Sequence, residues 1–215
     1  MDAATLQSRI YAGYAKAALR IGYTSDLYRA TSASNPMASG NKLASLPASF
    51  NAEDMKYGKP NKYGHPTWWG LFDGRVTKVG DYLSNAHDGT FFIASQQTNL
   101  PMICVSCNVT VDVKRPQQQA SVGALGYGGN TLAVETPLMT QWPCSILQGS
   151  KGEKADMVLP GDTRTPWWTI LLPKYDGVML RTGDIVTDNN ARRFVISSAE
   201  LTDLGWRMTA SQATT

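Results

Sequence analysis

Two stretches of the chain are copies of each other. The first runs Thr67-Trp68-Trp69, Asp73-Gly74, Gly80-Asp81, Phe91, Ile93 and Ser95. The second runs Pro166-Trp167-Trp168, Asp176-Gly177, Gly183-Asp184, Phe194, Ile196 and Ser198. Asp176 follows Asp73 by 103 residues, as Ser198 follows Ser95, and only the join between the Trp pair and the Asp-Gly step differs, by four extra residues in the second copy. An internal repeat sets the architecture before any other signal, and it predicts two related small β modules. Each copy spans about 50 residues, a size at which an isolated domain buries too little surface to be comfortably stable. The modules are therefore expected to pack on each other or on a neighbouring subunit.

The β reading rests on local pattern. Ile103 to Arg115 alternates, with Ile103, Val105, Cys107, Val109, Val111 and Val113 on one side and Cys104, Ser106, Asn108, Thr110, Asp112 and Lys114 on the other. This predicts one strand with a core face and a wet face, bracketed by Pro101 and Pro116. In the second copy, strands are expected around Arg193–Ser197 and at Trp206–Ala210. Ser84 to Gly89 and Thr187 to Ala191 supply the Asn, Asp and Gly that hairpin turns use. Each module reads as a meander of about four strands.

Outside the copies, residues 3–21 predict a helix, with Leu6, Ile10, Tyr14, Ala17 and Ile21 at helical spacing, Asp2 as cap and Gly22 as stop. Arg9, Lys16 and Arg20 line one stripe beside that apolar face, either as a solvated face or as a dock for an acidic partner surface. Turn and breaker residues dominate 31–66 and 117–165. Connections of that length are uncommon inside a compact domain, so both read as arms laid over other surfaces. The organisation expected is thus an N-terminal helix (1–29), an extended arm (30–66), β module 1 (67–116), an irregular linker or arm (117–165) and β module 2 (166–215). The fold class is mainly β, two related small β-barrel or meander modules with an N-terminal α-helix and long irregular arms.

Composition narrows function more than it names it. The net charge is +3, and the excess lies in residues 1–66, with eight Lys/Arg against four Asp/Glu. That is too mild for a dedicated nucleic-acid binder. No apolar run reaches the length that spans a bilayer, and residues 1–30 lack a signal-peptide pattern, which points to synthesis in the cytoplasm. Three cysteines argue for reduced thiols over a disulfide framework.

Cys104-x-x-Cys107 has the spacing of a zinc half-site, but on a strand residues three apart face opposite ways, so no metal site is expected. The glycines at 126, 128 and 129 lack the Lys-Ser/Thr of a phosphate loop. Asp81 and Asp184 each belong to a Gly-Asp turn ahead of a strand, where turn hydrogen bonding accounts for them. No catalytic constellation and no cofactor are expected. In each Trp pair, one ring of Trp68/Trp69 and one of Trp167/Trp168 is expected to fill the module core while the other meets a second module, another subunit or a sugar face.

Several stretches resemble a family of structural proteins from tailed-bacteriophage virions. They are Asp54–Pro60, Lys114–Gln119, Pro160–Trp168, and Gly183–Val186 through Arg192–Ile196. Within that class the second module is similar to the small β-barrels of head-completion, stopper and tail-adaptor proteins, which form rings and carry no catalytic residues. The resemblance implies a non-enzymatic structural subunit of the virion, present in the host cytoplasm during assembly. It implies a homo-oligomeric ring or junction in the head-to-tail or tail-fibre region, with portal, tail or fibre proteins as partners, no specific nucleic acid and no membrane span. Arg9, Lys16, Arg20, Trp68, Trp69, Trp167 and Trp168 are the candidate interface. The alternatives are a carbohydrate-binding module of a receptor-binding fibre, stacking sugar on Trp69 and Trp168, and a capsid decoration protein.

Overall fold

A computed structural model describes residues 2–52, 64–116, 135–149 and 166–213. One helix, α1 (Ala3–Ile21), precedes twelve strands that close into two barrels. The first barrel holds β1 (Tyr23–Tyr28), β2 (Lys42–Ala52), β3 (Thr67–Leu71), β4 (Tyr82–Asn85), β5 (Gly89–Ser95) and β6 (Met102–Cys107). The second holds β7 (Val109–Pro116), β8 (Glu135–Gln148), β9 (Trp167–Leu172), β10 (Ile185–Asp188), β11 (Arg193–Thr202) and β12 (Gly205–Gln212).

Around the first barrel the strand order is β1-β2-β3-β6-β5-β4, and around the second β7-β8-β9-β12-β11-β10, every neighbouring pair antiparallel. The orders are the same. Each barrel is two three-stranded meanders joined by one crossing link, residues 72–81 in the first and 173–184 in the second, and closed by pairing the first strand with the fourth. Closure removes the free edges that a four-stranded meander would expose.

The repeat is therefore deeper than its visible copies. Each barrel has six strands rather than about four, and the two opening strands of each lie in segments that read as helix, arm or the tail of the preceding module. Residues 23–28 continue from the helical segment as β1, and residues 42–52 of the first arm form β2. In the second arm, 135–148 form β8. Prolines hid these strands: Pro47 sits within β2 opposite Thr24, and Pro143 within β8 opposite Thr110. A closed antiparallel ladder tolerates proline at positions that do not donate. The rest of the two arms, 53–63, 117–134 and 150–165, lies outside the described residues, as do Asp54–Pro60 and the glycines at 126, 128 and 129.

The long alternating strand divides at Asn108. Its side chain donates to the Ile146 carbonyl at 2.8 Å and accepts from the Ile146 amide at 2.9 Å, while its own N–H bonds the Cys144 carbonyl. Cys107 is thus the last strand residue of one barrel and Val109 the first of the next. The expected wet face is absent on β6, because the barrels abut. Met102 and Cys104 point into the first barrel, and Ile103, Val105 and Cys107 pack toward the second.

One continuous apolar cluster joins the barrels. It runs from Phe194, Ile196, Ile170 and Met208 of the second to Tyr82, Phe92, Ala94 and Val105 on the outside of the first. Tyr82 meets Trp142 edge-on and donates its hydroxyl to the Pro143 carbonyl at 2.8 Å. The 29–41 connection adds a second tie. Thr140 donates to the Ala33 carbonyl, Asn35 donates to the Thr140 carbonyl, and the Trp142 indole donates to the Ala33 carbonyl at 2.7 Å. The described part of the first arm therefore lies over the chain's own β8.

Helix α1 packs on β2 and β3. Asp2 caps it as expected, accepting from the Thr5 amide at 2.7 Å. Its inward face is rotated from the expected stripe: Tyr11, Tyr14 and Ala18 face the first barrel, while Leu6 and Ile21 are 41% and 60% exposed. Close approach sets this rotation. The Tyr11 ring lies directly on Gly74, and Gly22 sits against the Ala48 carbonyl, where a Cβ would stand 2.3 Å from the oxygen.

Candidate functional site

The residues shared by the two copies converge on the crossing link, and the contacts there are duplicated atom for atom. In the first barrel Arg29, just beyond β1, donates through Nε to Asp81 Oδ1 at 2.7 Å and through a terminal nitrogen to Oδ2 at 2.6 Å. The same nitrogen donates to the Val76 carbonyl, and the Lys78 amide donates to Oδ2. In the second barrel Arg115, at the end of β7, repeats the set with Asp184, the Met179 carbonyl and the Arg181 amide.

The link then turns on Gly80 and Gly183, at φ of +90° and +89°, and bonds back to Ile93 and Ile196. Only glycine enters that backbone region without strain. A bulge follows in each copy, between Ile93 and Ser95 and between Ile196 and Ser198.

Both carboxylates are buried, at 2% exposed side chain, and each holds a planar guanidinium in two parallel bonds. The pairing with Asp81 and Asp184 raises the pKa of Arg29 and Arg115. The clamp ties the first strand of each barrel to the link leading into its fourth, the pair that closes the barrel. Asp81 and Asp184, expected as turn residues, thus also serve as anchors across the barrel. Turn spacing predicted the first role; nothing in the sequence pairs them with arginines 52 and 69 residues away.

The tryptophans divide as expected between inside and outside, but one step out of register. Trp68 lies opposite Cys104, which lies opposite Ile93; Trp168 lies opposite Ala210, which lies opposite Ile196. Ile93 and Ile196 are repeat mates, so Trp68 corresponds to Trp168, and Trp69 to Thr169. Their ring contacts agree: Trp68 meets Phe91 edge-on and Trp168 meets Phe194 edge-on. A one-residue slip on a strand exchanges the two faces.

The outward rings are consequently Trp69 and Trp167, while half-buried Trp168 packs against the second core with the Arg192 guanidinium 5.5 Å from its centroid. Trp167 lies flat over Gly149, where a Cβ would stand 2.3 Å from the indole.

Arg9, Lys16 and Arg20 are all exposed on α1, while Trp68 packs against the first core and Trp168 against the second, both half-buried. The seven candidates do not form one surface. What the sequence did not single out is a pair of exposed apolar side chains at matching positions, Val76 and Met179, presented by the clamped links.

The three thiols are free; burial pushes up the pKa of Cys104 and Cys144, and that of half-buried Cys107 is raised by the same cause, which keeps them protonated at neutral pH. Among the described residues no group of three or more His, Cys, Asp or Glu side chains is placed to hold a metal ion. No helix among them is long and apolar enough to cross a membrane. No family model, curated protein or solved structure matches the chain.

Proposed function

We propose that the chain is a non-enzymatic structural subunit of a tailed-phage particle, assembling as an oligomeric ring or junction in the head-to-tail or tail-fibre region. The observation that carries this reading is how the duplicated residues are used. Asp81, Asp184, Gly80 and Gly183 hold the closing link of each barrel, and in doing so present Val76 and Met179, 50% and 57% exposed, on anchored backbone. A subunit offering two similar contact points is suited to meeting two neighbours, or to bridging two rings.

Pre-fixed apolar contacts lose little conformational freedom on binding, which favours assembly. The phage assignment itself rests on the resemblance. Of its stretches, Gly183–Ile196 is the β10–β11 hairpin with its clamped approach, and Lys114–Pro116 is the end of β7 that supplies Arg115.

Light scattering on the purified chain, alone and with portal, tail-completion and fibre proteins of the same particle, tests the proposal. Discrete assemblies above the 23.4 kDa protomer are expected. A protomer that stays single at all concentrations and joins none of those proteins would sink it.

A further inference from the structure

Asp followed by Gly occurs three times in the chain, at Asp73-Gly74, Asp88-Gly89 and Asp176-Gly177, and no Asn is followed by Gly. In this dipeptide a backbone amide reaches the preceding side-chain carboxyl most easily, because glycine puts no Cβ in the way. Two of the three steps are repeat mates, 103 residues apart. Each opens the link that presents an exposed apolar side chain, Val76 in the first barrel and Met179 in the second.

The fold treats the mates differently. Asp73 holds the Arg75 guanidinium in two parallel bonds of 2.8 and 2.6 Å, and also accepts from the Arg75 amide at 3.0 Å. Gly74 is buried beneath Tyr11 of α1, where a Cβ would stand 2.6 Å from the ring. Gly177 is exposed, at φ +90°, with no atom of the described residues within 4 Å of where a Cβ would stand. The Asp176 side chain is 92% exposed, and its ion pair with Lys174 at 3.0 Å lies in water, where such pairs hold weakly. The third step is pinned in another way: Asn85 Nδ2 donates to Asp88 Oδ2 at 3.1 Å, and Gly89 lies opposite Asn85 in the β4–β5 ladder.

We propose that Asp176-Gly177 is a site of spontaneous isoaspartate formation, which ages the second contact point and spares the first. The Gly177 amide nitrogen bonds to Cγ of Asp176, and the carboxyl hydroxyl leaves with the amide proton as water. Water then opens the succinimide. Where it cleaves the bond between the ring nitrogen and the Asp176 α-carbonyl carbon, the main chain runs on through Cγ and the α-carboxylate becomes the side group. The step needs no oxidant or cofactor and leaves mass and net charge unchanged. It adds a methylene to the backbone of a turn closed by the Val178 N–H and the Tyr175 carbonyl at 3.2 Å, one residue before Met179. The lengthened turn loses that fit, and Met179 its fixed setting. The consequence for assembly rests on the reading of Val76 and Met179 as contact points; the chemistry at Asp176 does not.

The test incubates the intact chain in heavy-oxygen water at about pH 6, where a small fraction of an unperturbed Asp carboxyl is protonated. Peptides are then read by mass spectrometry with electron-transfer fragmentation, which separates isoaspartate from aspartate. Isoaspartate carrying the heavy oxygen is expected at Asp176. Asp73 and Asp88 should convert about tenfold more slowly, the rate equivalent of one charge-assisted hydrogen bond held against the attack. In urea the three steps should converge. Asp176→Glu, whose extra methylene disfavours ring closure, should abolish the label there and leave the melting temperature unchanged.

Conversion at Asp73 or Asp88 as fast as at Asp176 in the folded chain would overturn the proposal. So would the same ranking in urea, which would put its cause in the neighbouring sequence and not in the fold. In an aged sample, isoaspartate at Asp176 should be enriched in protomers left outside the assemblies; equal content inside and outside would overturn the ageing of the contact point. A chain that converts at Asp176 but forms no assemblies would instead defeat the assembly reading and leave the modification site standing.

Discussion

Removing Asp81 should loosen the first barrel at its closing seam. The carboxylate accepts two bonds from Arg29 and one from the Lys78 amide, and its side chain is 2% exposed. Breaking a fully buried pair by deleting one partner costs about 3–5 kcal/mol. The Arg29 side chain is 32% exposed and regains water when released, which discounts that figure. The part that is not recovered is the Lys78 amide left without its acceptor, about 1–3 kcal/mol, together with the lost tie across the seam. We therefore expect Asp81→Ala to cost about 2–4 kcal/mol.

In a chain of this length each kcal/mol lowers the melting temperature by about 2–4 °C, so a fall of about 4–16 °C is predicted by calorimetry. Asp184→Ala should cost a similar amount, because Arg115 and Arg181 repeat the contacts. In a double-mutant cycle, Arg29→Ala and Asp81→Ala should couple by more than 1 kcal/mol. A loss below about 0.5 kcal/mol for either aspartate, the level of an exposed ion pair, would refute the clamp as the device that closes the barrels.

Three further outcomes follow from the same geometry. Tyr82→Phe removes the hydroxyl that donates to the Pro143 carbonyl at the barrel seam and should cost about 1–2 kcal/mol by urea unfolding; an unchanged midpoint would mean the seam is held by packing alone. Trp68→Ala should cost about 3 kcal/mol or more and Trp69→Ala less than about 1 kcal/mol, since only Trp68 packs on the first core; equal losses would contradict the register.

Stability should also fall in alkali. The thiols of buried Cys104 and half-buried Cys107 stay protonated in the fold, while the unfolded chain ionises them above about pH 8.5, so the unfolded state binds fewer protons there. The benefit is whole below that pH and drains as pH rises, by up to about 1.4 kcal/mol per unit for each thiol. Cys107→Ala should flatten the decline between pH 9 and 10.5, and an equally steep decline in that variant would exclude the thiol as a cause.

The copied residues made the duplication legible, because a barrel's closing link needs particular types at particular places. Gly80 and Gly183 must take positive φ, and Asp81 and Asp184 must accept several donors at once. The opening strands were not legible for the opposite reason. β1 and β2 are held by pairing and by the helix, so Ala, Ser and Pro serve there; Ala44, Leu46, Ala48 and Phe50 do alternate with Ser45, Pro47, Ser49 and Asn51, but the small residues and Pro47 mask the strand.

The Trp pairs misled by one position, since a dipeptide match carries no information about which residue faces inward. That was settled only by partners far along the chain, Cys104 and Ala210.

Mass spectrometry and cryo-electron microscopy of purified tailed-phage particles that encode the chain test the central claim most directly. The account predicts the chain at a fixed copy number in the head-to-tail or tail-fibre region, seen as paired barrels in contact with neighbouring subunits. Particles that are complete, infectious and free of the chain would contradict it.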